Sequence, residues 1–208
     1  MTESTTTIRA VIWDMGGVLL RTADRAPRQE LAARFGLSYE QIDQAVFAAP
    51  SAQQATLGLI SEEAHWQAVG HSFHLTGEAL REFRRQFWAG DAMDFDLVNF
   101  IRGLRPAFKT ALLSNAWPGM RQSVDAQYGV MDAFDVQIIS AEVGLAKPDP
   151  RIFELTVDRL GVKPAEAVFV DDFVKNVEAA QAAGLYAVRF ETSQQARRDV
   201  CRLIGREC

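Results

Sequence analysis

Four places along this chain carry side chains that could do chemistry together: Asp14, Ser114-Asn115, Lys147 and Asp171-Asp172. A lone carboxylate from one place and a pair from another supply the oxygen ligands that a hard divalent cation takes. A serine hydroxyl with neighbouring loop amides holds phosphate oxygens, and a lysine adds a point of positive charge beside them. Each group also has an ordinary alternative. Asp14 can simply end a strand, Ser114-Asn115 can cap a helix, and Lys147 can be a solvated loop residue. The elements that carry these groups decide whether they meet.

Ile8, Ala10, Val11, Ile12 and Trp13 form a short apolar run closed by Asp14 and followed at once by Gly16-Gly17. A continuous run of this kind suits a strand buried on both faces of a parallel sheet. The glycines allow a sharp turn and a close approach of a ligand to the backbone. Residues 22 to 93 then show no buried strand and read as about four helices. These are Pro27 to Phe35, Ser38 to about Ala48, a helix opened by Ser61 and one opened by Thr76. From about residue 94 helices and strands alternate, with strands at Thr110 to Leu113, Val136 to Ile139, Ala167 to Val170 and Tyr186 to Phe190. Trp117-Pro118 is expected to begin a helix running to Tyr128, and Pro150 and Ser193 to begin later ones. The pattern predicts an α/β fold with a doubly wound, mostly parallel Rossmann-like sheet. It also predicts a small helical cap domain (22 to 93) inserted after the first strand, the core being 1 to 21 and 94 to 208. In a parallel sheet the strand ends share one edge, and ligands sit there. The four places converge.

The totals narrow the function. The 208 residues are 48% hydrophobic and 24% charged, with 22 basic against 27 acidic side chains and a net charge of -5. This balance speaks against nucleic-acid or anionic-membrane partners, but not against a phosphorylated small molecule held by local donors and a metal. Cys201 and Cys208 lack metal-site spacing and suggest no disulfide framework, so a reducing compartment fits. The polar leader Thr2 to Thr7 has no signal pattern and is expected to fray. No apolar run is long enough to span a membrane, and a cytoplasmic protein is expected.

The segments VIWDMGGVLL, ALLSNAW, GLAKPDPRIF and VFVDDFVKNVEAAQAAG, in this order, resemble the motifs of the haloacid dehalogenase-like hydrolase superfamily. The branch they look most like includes the phosphatase domain of soluble epoxide hydrolases and bacterial sugar-1-phosphate phosphatases. The resemblance implies an aspartyl-phosphate enzyme in which Asp14 is the nucleophile. Ser114 and Asn115 would hold phosphate oxygens, and Lys147 would neutralise charge on the nucleophile and phosphoryl group. Asp172 would be a direct Mg²⁺ ligand, with Asp14 and the Gly16 carbonyl, and Asp171 a second ligand or an outer partner oriented by Asn176. The implied substrate is a small phosphorylated metabolite, possibly a sugar phosphate. Family phosphatases usually carry a second aspartate two residues after the nucleophile, as general acid and base. Here that position is Gly16. Its loss favours good leaving groups such as acyl or anomeric phosphates, unless a cap residue such as His65 gives the proton. The alternatives are a 2-haloacid dehalogenase, against which the Asp171-Asp172 pair speaks, and a low-turnover protein that binds a phosphorylated ligand.

Overall fold

The computed structural model describes residues 7 to 207. Five parallel strands form its main sheet in the order β5-β4-β1-β6-β7. They are β1 (Ala10–Trp13), β4 (Lys109–Ser114), β5 (Val136–Ile139), β6 (Ala167–Asp171) and β7 (Tyr186–Arg189). The central strand β1 is fully buried, and its side chains alternate between two apolar layers. Val11 and Trp13 pack with Leu97, Ile101 and Leu112 on one face, while Ala10 and Ile12 pack with Ile152, Phe153 and Phe169 on the other.

Between β1 and β4 the chain makes a short antiparallel pair, β2 (Leu20–Thr22) with β3 (Asp91–Met93). Five helices lie inside that pair: α1 (Ala26–Arg34), α2 (Tyr39–Phe47), α3 (Pro50–Thr56), α4 (Glu62–Ser72) and α5 (Gly77–Trp88). Neither α3 nor the two short strands is expected from the hydrophobic pattern. At three residues each, and half-buried for the most part, the strands carry too few side chains to show a period. The five helices bury a core of their own around Leu31, Ile42, Val46, Trp66, Phe83 and Phe87. Ser38 and Ser61 cap α2 and α4 through their side chains, whereas Thr76 sits at the start of α5 without such a bond.

The remaining helices are α6 (Phe95–Arg102), α7 (Met120–Tyr128), α8 (Ser140–Val143), α9 (Pro150–Leu160), α10 (Val174–Ala182) and α11 (Ser193–Ile204). Trp117-Pro118 does not begin α7, contrary to the expectation from the proline. Gly119 in the left-handed conformation intervenes, and the helix starts at Met120. Cys201 is disulfide-bonded, against the expectation of no disulfide; Cys208 and most of the polar leader lie outside the described residues. No described helix is long and apolar enough to cross a membrane.

Candidate active site

Parallel pairing brings the candidate groups to the carboxyl edge of the sheet. Trp13 is opposite Leu112 of β4 and Val170 of β6, so Asp14 emerges between the ends of those two strands. The Asp14 amide donates to the Val170 carbonyl (3.0 Å), and its Oδ1 accepts from the Met15 amide (2.7 Å). Asp171 is the last residue of β6 and is fully buried, and Asp172 follows it. One carboxylate oxygen each from Asp14, Asp171 and Asp172 lies within 4.8 Å of the others.

Lys147 stands among these carboxylates. Its buried Nζ is 2.8 Å from Asp14 Oδ1 and 2.7 Å from Asp171 Oδ2. The loop that carries it is held by Asn115, whose Nδ2 donates to the Lys147 carbonyl and whose Oδ1 accepts from the Lys147 amide, both at 2.8 Å. The Asn115 side chain is thus committed to placing the lysine. Ser114 is buried at the end of β4, paired with Ile139 of β5.

The aspartate pair divides. Asp171 accepts from Lys147, from both contacts of Asn176 Nδ2 (3.0 and 3.1 Å) and from the Phe173 amide (2.8 Å). Asp172 Oδ1 is buried and has no hydrogen-bond partner. A buried carboxylate oxygen left without a donor is costly. Asp172 also lies tight against Gly17, whose φ is +76°; a Cβ there would come within 2.3 Å of Asp172 Oδ2. The left-handed φ favours glycine at Gly17. Gly16 differs, because a Cβ there would meet nothing within 4 Å.

The electrostatics follow from crowding three carboxylates in a buried place. Burial pushes the Asp14 carboxyl up from its ordinary 3.8 to about 7; Lys147 opposes the rise and Asp171 adds to it. Asp172 is pushed upward as well, first by burial and then by Asp171. A divalent cation would offset both effects, and the orphaned Asp172 oxygen together with Asp14 offers it oxygen ligands. The donor set fits Mg²⁺.

One feature was not read from the sequence. Ser140, fully buried at the end of β5, accepts from the Ala116 amide (2.9 Å) and donates to the Ala116 carbonyl (3.1 Å), fixing the loop after Asn115. Its place just beyond a predicted strand on the same edge was the available signal. His65, a candidate proton source, lies instead fully buried on α4, with Nδ1 2.9 Å from Ser51 Oγ and its ring 4.2 Å from that of Trp117. Burial holds its pKa down at about 4, so it is neutral near pH 7. Two surface grooves of about 680 Å³ lie elsewhere, one lined by Arg102, Arg105, Lys109 and Arg159 at the amino edge, the other on the cap. Neither contains any of the three carboxylates.

The chain is 30% identical over 105 residues to bifunctional epoxide hydrolase 2 of Mus musculus, a match to 49% of this chain and 19% of that protein. It therefore spans less than a fifth of that relative's length. D-ribitol-5-phosphate phosphatase of Bacteroides thetaiotaomicron is 28% identical over 204 residues, covering 90% of this chain and 91% of that one. In fold, the chain is similar to a haloacid dehalogenase family enzyme of Bacteroides thetaiotaomicron in complex with magnesium and inorganic phosphate. The TM-score is 0.73 at 22% identity, over 88% of this chain and 94% of that one. A family model described as haloacid dehalogenase-like hydrolase matches residues 8–184, most of the chain. The chain belongs to the haloacid dehalogenase-like hydrolase family.

Proposed function

We propose that the protein is a Mg²⁺-dependent phosphatase of a small phosphorylated metabolite. The observation that carries this reading is the buried Lys147 ammonium shared by Asp14 and Asp171, with the unpartnered Asp172 oxygen beside them. Residues 22 to 93 act as the cap, and 1 to 21 with 94 to 208 as the catalytic core.

Asp14 is the nucleophile. Its free oxygen attacks phosphorus, the bond to the leaving oxygen breaks, and water later releases phosphate from the aspartyl-phosphate. Lys147 pins Asp14 Oδ1 and offsets charge on the incoming phosphoryl group. Ser114 and the amides after it hold phosphate oxygens, and Asn115 keeps Lys147 in place. Asp14, the Gly16 carbonyl and Asp172 would hold Mg²⁺, which would supply Lewis-acid charge neutralisation. Asp171 orients Lys147 and is itself oriented by Asn176, which makes it an outer partner. A small phosphorylated molecule fits this site. The phosphate-bearing relatives favour it over a haloacid, and a sugar phosphate is one class to test.

The test is phosphate release from p-nitrophenyl phosphate and from sugar and acyl phosphates, with Mg²⁺ and with EDTA, for wild type and Asp14→Asn. Release that needs both Mg²⁺ and Asp14 is expected. Halide release from 2-haloacids without metal would replace this reading with the dehalogenase. Tight phosphate binding without turnover would replace it with the binding protein.

A further inference from the structure

Large apolar side chains follow Asn115 and Asp172 closely in the chain. Trp117, two residues beyond Asn115, is only partly buried and packs on the cap's own aromatic core. Its ring centroid lies 5.8 Å from that of Phe47 and 6.2 Å from that of Trp88, and Phe47 remains 45% exposed. Phe173 directly follows Asp172 and is 66% exposed, with Val174 next to it at 43%. Large apolar side chains grouped around a polar centre and left in water mark a binding surface. Recognition of a polyol calls for polar groups aimed at its hydroxyls. The histidine within this aromatic cluster, His65, has its Nδ1 engaged with Ser51 and its Nε2 buried without a partner, so neither nitrogen is open at the surface to a hydroxyl.

A second, independent observation concerns the leaving group. Two residues after Asp14 stands Gly16, with open space where a side chain would project and no acid to fill it. Without a proton from there, the leaving oxygen must bear the electron pair itself. That is easiest for weakly basic oxygens, those of phenols and carboxylic acids.

We infer that the substrate is a phosphate monoester or acyl phosphate whose leaving group is aromatic and weakly basic, its ring resting on Trp117 and Phe47. This rests on the phosphatase reading above. In the first step an Asp14 oxygen bonds to phosphorus as the phosphorus–leaving-oxygen bond breaks, and the pair departs as phenolate or carboxylate. In the second, water bonds to phosphorus, the Asp14 carboxylate leaves, and both water protons remain on the released phosphate, giving dihydrogen phosphate.

The test compares benzoyl phosphate with acetyl phosphate, a substituted phenyl phosphate series and glucose 6-phosphate, in Mg²⁺, by kcat and KM. Benzoyl phosphate is expected to exceed acetyl phosphate in kcat/KM about tenfold or more, mostly through KM. Trp117→Ala is expected to bring that ratio to within about twofold. Across the phenyl series kcat/KM should rise as the phenol becomes more acidic, and Gly16→Asp should flatten the slope. Phenylphosphonate inhibiting wild type more tightly than methylphosphonate gives the same answer if Trp117→Ala does not fold. Equal rates on benzoyl and acetyl phosphate, or preference for glucose 6-phosphate, would overturn the inference and leave the phosphatase standing. No Mg²⁺- and Asp14-dependent release from any of these compounds would remove both.

Discussion

Lys147 Nζ lies 2.8 Å from Asp14 Oδ1 although the two residues are 133 positions apart in the chain, and both side chains are buried. The contact engages one oxygen of Asp14 and ties the β1 turn to the loop before α9. Breaking a buried pair by removing one partner costs about 3–5 kcal/mol. Lys147→Ala should therefore lower both the unfolding midpoint and turnover, and Lys147→Arg should not restore turnover because a planar fork cannot replace a point charge. Thermal unfolding alongside phosphate release checks both.

The metal-free protein should lose stability as pH rises from about 4 to about 7. The folded Asp14 keeps its proton up to about 7, whereas the unfolded one releases it near 3.8, so the folded state holds more protons across that window. His65 acts in the opposite sense. Its folded pKa of about 4 lies below the ordinary 6.5, so stability is lost as pH falls from 6.5 to 4. Urea unfolding in EDTA should separate them: Asp14→Asn removes the first slope and His65→Leu the second. Mg²⁺ binding near pH 6 should release protons, visible as a buffer-dependent calorimetric heat. An unchanged slope in Asp14→Asn would assign the titration to another group.

Gly17 and Gly16 should answer very differently to alanine. At Gly17 the left-handed φ of +76° and the 2.3 Å approach to Asp172 Oδ2 make Gly17→Ala destabilising by about 1–2 kcal/mol or more, with weakened Mg²⁺ binding. Gly16→Ala meets open space and should fold like wild type. Circular-dichroism melting and a Mg²⁺ titration of each variant make the comparison.

Asn176→Ala should leave the fold intact and weaken Mg²⁺ binding about 10–100-fold, the usual effect of losing a partner that orients a metal site. Asn176 Nδ2 contacts both oxygens of Asp171, which in turn holds Lys147, so its loss loosens the whole cluster. A Mg²⁺ affinity equal to wild type would show that Lys147 and the Phe173 amide hold Asp171 unaided.

Arg28 is the tie of the helical insertion. It is 4% exposed, donates to the Phe87 carbonyl (3.1 Å), and pairs with Asp43 (2.8 Å) and Asp91 (3.2 Å). It thereby joins α1 to α2, α5 and β3. Arg28→Ala should cost about 3 kcal/mol, and Arg28→Lys should recover only part, since one ammonium cannot serve these directions together. Chemical denaturation measures the difference.

The sequence by itself determined the strand-helix alternation, the helical insertion and the identity of the residues at the carboxyl edge. Those features are local: an apolar run closed by Asp14, a proline or serine opening a helix, two aspartates after AVFV. It also placed Asn176 correctly one turn beyond the pair. Only the tertiary structure decided how those residues share the work. Whether Asp171 or Asp172 is left open depends on donors from two separate segments, Lys147 on one and Phe173 with Asn176 on the other, and no spacing encodes the approach of the lysine. The commitment of Asn115 to Lys147 and of Ser140 to Ala116 joins loops 32 and 24 residues apart in the chain. Trp117, expected in a helix of the core, proved to be a side chain on which the cap's aromatic core rests, because Gly119 delays α7 and leaves the tryptophan in the loop. Such contacts arise only when distant segments are packed against each other, and packing is a property of the whole fold rather than of any stretch of it.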